Sequence, residues 1–284
     1  MLRIDIAASD GQSHVNEDAV GHQGDAAWVI DGATGIGAQL LDAPSDAAWF
    51  AQAASATLGQ VLAENPGRPT VEVLRETMTR CAVALTREQV RAAAGPHELP
   101  SAAFAMVRVL DGEVEFTTLA DCRIAARDTD GAVRLFGASA LDAIEGRTLA
   151  AMRAILADEP DIAPEALNAR LMPGLRANRA LMNREGGYWV LGVDPVAADH
   201  VWQARLPLHA GQRFAVASDG FLRLVELFGV VSPADLLEIS NAEGWEHWLG
   251  RLRGLEREPG SLSRFARVKP HDDTSLVVCE WENG

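Results

Sequence analysis

Along the middle of the chain, apolar and polar residues alternate in short runs cut by turn residues. Residues 104–110 and 113–119 flank Asp111-Gly112, and residues 123–127 and 132–136 flank Asp130-Gly131. Both residues of an Asp-Gly pair tolerate positive φ, which a tight hairpin turn requires. The spacing predicts a meander of antiparallel strands. A different period precedes it. Phe50, Ala54, Leu58 and Val61 recur at helical spacing behind Ser45, a predicted N-cap; Leu74, Met78, Cys81 and Leu85 do the same before Gly95-Pro96 ends the segment. A second helical pair is expected from about Ala140 to Met182, interrupted near Pro160 and at Pro173-Gly174. Strands are expected again at 188–191, 200–204, 213–217 and 275–281, with helices after Asp219 and from Ser232-Pro233. Strands and helices come in blocks without regular βαβ alternation, which predicts an α+β fold rather than a parallel doubly wound sheet. No repeat, low-complexity tract or linker divides residues 1–284, so one domain is expected.

Composition adds exclusions. Hydrophobic residues make up 48% of the chain, enough for a sizeable core. No apolar run approaches the roughly 20 residues of a membrane span, and the first residues, Met1-Leu2-Arg3-Ile4-Asp5-Ile6, lack the apolar stretch of a signal peptide. Cys81, Cys122 and Cys279 lie far apart and lack metal-ligand spacing, which argues against a disulfide framework. A soluble, reduced, cytoplasmic protein without a membrane partner is expected. Forty acidic against twenty-five basic residues give a net charge of −15. Nucleic-acid binding needs a basic face, so that partner is not expected. Most of the acids serve solubility, and a minority can be gathered to hold cations. Lys269 is the only lysine in the chain.

Aspartate followed by glycine occurs five times. At 111 and 130 strands lie on both sides, which marks plain turns, and Asp10-Gly11 is also read as a turn. Asp31-Gly32 and Asp219-Gly220 differ, because each ends a fully apolar strand with no matching return strand. A carboxylate at the edge of a core raises the free energy unless hydrogen bonds or a cation compensate it. Two acidic groups, Asn16-Glu17-Asp18 and Asp272-Asp273, sit at further strand ends. Hard divalent cations take oxygen ligands and Mg²⁺ keeps several waters, so a few carboxylates and a carbonyl suffice. Clusters of His and Cys suited to zinc are missing from the sequence.

With these motifs in view, the sequence resembles the metal-dependent protein phosphatases of the protein phosphatase 2C type. Asn16-Glu17-Asp18-Ala19 looks like the family's N-E-D-A segment, and Val29-Ile30-Asp31-Gly32-Ala33-Thr34-Gly35 like its D-G-x-G-G turn. Ala217-Ser218-Asp219-Gly220 is similar to its S-D-G motif, and His271-Asp272-Asp273-Thr274-Ser275 to its terminal D-N-x-T/S. Leu119-Ala120-Asp121-Cys122-Arg123 is a weaker counterpart of its G-D-S-R strand. The resemblance implies two packed antiparallel sheets flanked by helices, with two Mn²⁺ or Mg²⁺ ions in a cleft at one end. It also implies roles. Asp31 would bridge the ions, the Gly32 carbonyl would bind the second, and Asp219 and Asp272 would complete the first. Glu17 and Asp18 would act through water, and Asp121 through a third ion. The implied reaction is phosphomonoester hydrolysis by in-line attack of a metal-bridging hydroxide.

The pattern also departs from the family. The phosphate-gripping arginine expected four residues before Glu17 is Ser13, with His14 beside it, and the family's occasional D-G-H histidine is Ala33. Arg223 stands where a third-ion aspartate would be. Arg223 and His14 are therefore candidate substrate-binding groups, the guanidinium supplying charge that an ion or arginine would otherwise bring. The expected activity is a phosphoserine/phosphothreonine protein phosphatase acting on a phosphorylated protein. The alternatives are a phosphatase of a small phosphate ester and a weakly active phosphatase-like binding module.

Overall fold

A computed structural model of the chain describes residues 1–11, 15–138, 141–159 and 162–282. Four of the expected features, at Ser13, His14, Ala140 and Pro160, lie outside these described residues. With strands numbered in chain order, one sheet runs β1 (Leu2–Asp10), β11 (Thr274–Trp281), β10 (Arg213–Ala217), β6 (Arg123–Arg127), β7 (Val133–Phe136). The other runs β2 (Asp18–Gln23), β3 (Ala26–Gly32), β4 (Ser101–Leu110), β5 (Glu113–Leu119), β9 (Trp202–Pro207), and the short β8 (Leu191–Gly192) also pairs with β4. Neighbouring strands are antiparallel throughout.

The helices make this a sandwich of α, β, β and α layers, as expected. α1 (Asp46–Glu64) and α2 (Thr70–Glu88) cover the β3–β4 face, where Trp28, Ile30, Phe104 and Met106 pack against Phe50, Leu58, Leu74 and Met78. α5 (Asp219–Glu226), α6 (Pro233–Leu237) and α7 (Ala242–Arg257) cover the other sheet, where Ala215, Leu276 and Val278 meet Phe221, Leu236 and Leu252. Between the sheets Val29, Ala105, Phe116, Val216 and Val277 interlock. Successive residues of β3, β4, β10 and β11 thus enter different cores. That is why these strands read as unbroken apolar runs instead of alternating with polar residues. α1 starts where Ser45 predicted: the Ser45 side chain accepts from Ala48 N, and Asp46 receives Leu40 N and Leu41 N at 2.7 and 3.0 Å. Trp28 Nε1 donates to Ser55 Oγ at 2.9 Å, fixing α1 on the sheet.

Several expectations need correction. The two central hairpins form, but β4–β5 and β6–β7 belong to different sheets. The chain crosses between them at Ala120, a buried residue with φ of 62°. α2 stops at Glu88, well before Gly95. Pro173 does not break its helix; it lies inside α4 (Pro164–Arg179), which follows α3 (Asp142–Asp158). Ala169 and Pro173 are both exposed, so water can satisfy the carbonyl that the missing N–H leaves free. Of residues 188–191, only Leu191 lies in a strand, and Tyr188 makes a lone bridge to Met182. His200 ends a 3₁₀ turn and β9 begins at Trp202. Among the described residues no helix is long and apolar enough to cross a membrane.

Candidate metal centre

Two glycines bring the acidic segments together. Gly32 N donates to Glu17 O at 3.1 Å, and a Cβ at Gly32 would stand 2.3 Å from that carbonyl oxygen. A Cβ at Gly220 would stand 2.0 Å from Asp273 O. Each Asp-Gly strand end therefore abuts the backbone of an acidic pair, a closeness that only glycine permits. In this way Asp31, the penultimate residue of β3, pairs across the ladder with Asp18, the first of β2. Asp219 opens α5 directly after β10, and Ser218 and Ser275 exchange two hydrogen bonds, from Ser218 N to Ser275 O (3.1 Å) and from Ser275 N to Ser218 Oγ (2.8 Å). Glu17 N donates to Asp273 Oδ2 at 2.8 Å and joins the two halves.

The resulting cluster is electrostatically strained. Burial, then Asp18, Asp219, Asp121 and Asp272, push the Asp31 carboxyl well above the ordinary carboxylate range. Asp18 is only 2% exposed. Burial pushes its carboxyl up to about 7; a hydrogen bond from Ser275 opposes this, and Asp273, Asp219 and Asp272 add to it. That bond, from Ser275 Oγ to Asp18 Oδ2, is 2.7 Å long. The other oxygen, Asp18 Oδ1, is buried with no hydrogen-bond partner among the described residues. Asp121, just past the crossing at Ala120, also acts on Asp31 and Tyr188. The structure thus brings Asp18, Asp31, Asp121, Asp219 and Asp272 within electrostatic reach of one another.

Other groups are already engaged. The Glu17 carboxylate accepts from the hydroxyls of Thr34 and Ser45. Asp272 Oδ1 accepts from Lys269 Nζ at 2.9 Å and Oδ2 from Arg223 Nη2 at 2.8 Å. Burial and Asp219 raise the Asp272 carboxyl, while these two cations hold it down. Arg223 is not an exposed helix arginine. Its side chain is 9% exposed, and Nη1 donates to the fully buried Glu256 at 2.6 Å.

Sequence reasoning named Asn16 only as part of a motif, without its role, and missed other residues here. Asn16 supports the acidic turn, accepting from Asp18 N at 3.0 Å and donating to Ser9 at 2.7 Å. Arg179, in the last turn of α4, donates to Ser101 Oγ at 3.2 Å and Thr34 O at 3.0 Å, beside the Asp31 loop. Lys269 carried the one usable signal, being the sole lysine three residues from Asp272. Nothing local marked Arg179 or Glu256.

A cation suits this place. Asp18 Oδ1 is a buried carboxylate oxygen lacking a donor, and its surroundings are the oxygen ligands that hard divalent ions take. Yet among the described residues no three His, Cys, Asp or Glu side chains group tightly enough to hold an ion by themselves. Waters would have to complete its shell, which is usual for Mg²⁺.

Comparison with known proteins bears on the family and the fold. The sequence profile of the protein phosphatase 2C family matches residues 9–255. The fold is similar to the serine/threonine phosphatase PstP/Ppp of Mycobacterium tuberculosis, with TM-score 0.59, 18% identity and 99% of each chain covered. It is also similar to the PstP catalytic domain in complex with two manganese ions, with TM-score 0.57, 17% identity and 99% of each chain covered. The serine/threonine phosphatase of S. agalactiae gives TM-score 0.56, 13% identity and 100% of each chain. None of the curated proteins matches the chain by sequence.

Proposed function

The chain belongs to the protein phosphatase 2C family, and on that footing we propose that it is a divalent-ion-dependent phosphoserine/phosphothreonine protein phosphatase. The observation that carries the reading is Asp18 Oδ1, a buried oxygen without a donor amid the mutually repelling Asp31, Asp219 and Asp272. Asp18, Asp31 and Asp219, with the Gly32 carbonyl beside them, would hold Mn²⁺ or Mg²⁺. When bound, such an ion offsets charge on the phosphoryl oxygens and makes a water more acidic. The chain's own part is placement. Ser275 keeps Asp18 Oδ2 occupied and so leaves Oδ1 for the ion. Gln52 Nε2 donates to Asp18 O at 3.1 Å and holds that strand end against α1. Gly32 and Gly220 set the distance between the acidic segments.

A phosphopeptide, a small aryl phosphate and a chelator test this reading together. Phosphate release from the phosphopeptide is expected with Mn²⁺ and not with chelator, and Asp31→Asn is expected to lower kcat/KM by at least about 10²-fold. Release that persists in chelator, or in Asp31→Asn, would overturn it. A second reading, a phosphatase-like binding module with little turnover, is favoured by the two cations on Asp272. Ion binding without release from either substrate would select it.

A further inference from the structure

A cation beside the acidic cluster has no carboxylate of its own. α4 ends on Arg179, whose Nη1 donates to Ser101 Oγ at 3.2 Å and whose Nη2 donates to Thr34 O, just past Asp31, at 3.0 Å. Both acceptors are neutral, so these bonds leave the charge unbalanced, and they use two of the five N–H groups of the guanidinium. Arg179 forms no ion pair among the described residues. Its charge is felt by Tyr188, which also feels Asp121, and Arg179 itself feels Glu17. The guanidinium therefore stands at the rim where the segments carrying Asp31, Glu17 and Asp121 meet. Burial is the main influence on it and works against its charged form. Lys269 and Arg223, by contrast, are engaged by Asp272, and Arg223 by Glu256 as well.

We propose that Arg179 is the phosphate-binding group of this chain, its planar fork of donors taking two oxygens of a phosphoryl group seated at the acidic centre. A guanidinium matches phosphate in this bidentate way. Fastening α4 to the Asp31 loop does not explain the charge, because a neutral amide could donate the same two bonds. A partly desolvated cation raises the free energy until an anion joins it. The surrounding sequence has the same bias. From Ala166 to Arg184 there are four arginines and no acid, in a chain of net charge −15. Arg170 is paired with Glu159, whereas Arg176 and Arg184 are exposed and add long-range attraction for an anion. Arg223, the candidate from the sequence, is held on both sides by Glu256 and Asp272 and is not free for this task.

The inference rests on the phosphatase reading, so binding and turnover are measured apart. Calorimetric titration of the full chain with inorganic phosphate, in the presence of Mg²⁺, reads binding; release from a phosphopeptide reads turnover. Arg179→Met is expected to weaken phosphate binding by roughly 10- to 100-fold, the weight of a hydrogen bond between charged partners. Arg179→Lys, which keeps the charge and loses the fork, should fall between it and the wild type. Mg²⁺ affinity and circular dichroism should be unchanged in both, which a merely structural role would also allow, but such a role would leave phosphate affinity unmoved. Should Arg179→Met not fold, Arg179→Lys carries the test. Wild-type protein that binds no phosphate, or a folded variant that binds it as tightly as the wild type, would overturn the proposal. Arg179-dependent phosphate binding without turnover rejects the phosphatase reading and keeps this one; turnover with phosphate affinity indifferent to Arg179 does the reverse.

Discussion

At the scale of single residues, Asp18 is where sequence and environment conflict most. Its carboxyl is raised to about 7, burial being the main cause, against an unfolded value of about 4. The folded state therefore holds a proton that the unfolded state releases between those two values. The penalty is absent below about pH 4, grows as pH rises and is complete above about pH 7. Metal-free protein is expected to lose stability across that window in urea denaturation at successive pH values. Asp18→Asn, which cannot ionise, should flatten the slope, and an unchanged slope would show that other groups set it. The sequence made the location of Asp18, Asp31 and Asp219 legible, because short acidic motifs at strand ends survive as local patterns. It did not show that Lys269 and Arg223 occupy Asp272. Those pairs depend on how α5 and the 265–273 loop pack, and side chains that meet only after folding leave no spacing to read.

At the scale of elements, the glycines after Asp31 and Asp219 act as spacers. Gly32→Ala and Gly220→Ala put a methyl group into backbone oxygens at 2.3 and 2.0 Å, and neither oxygen can retreat without moving an acidic segment. Each is expected to cost about 1–3 kcal/mol in chemical denaturation, the range for forcing extra volume into a packed site. Mn²⁺ affinity should fall with it. Gly146→Ala in exposed α3 has open space around the new methyl group and should be neutral or stabilising. If all three variants behave alike, the spacer role fails. The strands themselves were readable from apolar runs and Asp-Gly turns. Their sheet membership was not, because alternation reports which way a side chain faces and not which strand lies alongside. Hence the reversal at Ala120, which carries β6 into the other sheet, had no signal beyond an alanine where the family strand has glycine.

At the scale of the molecule, four layers bury apolar residues on both faces of each sheet, and the acids collect where the sheets' loops meet. A chain with net charge −15 gains from any cation held at such a place. Binding at a hundred times the dissociation constant stabilises by about 2.7 kcal/mol, which for a chain of 284 residues is a rise of roughly 4–5 °C in Tm. Scanning calorimetry with and without Mn²⁺ should show it, and Asp31→Asn should remove it; equal Tm values would mean no ion is held in the folded state. The α+β class was legible from its blocks of strands and helices, and the two-sheet sandwich from the family resemblance. What periodicity could not convey is that β11 lies between β1 and β10, so that Leu2 pairs with Trp281. Closing so long a loop is entropically slow, and contacts of this separation delay folding. The Asp272-Asp273 segment joins Glu17 through that closure. In a refolding experiment, competence to bind Mn²⁺ should therefore arrive with the slowest phase, after most of the helical signal has returned.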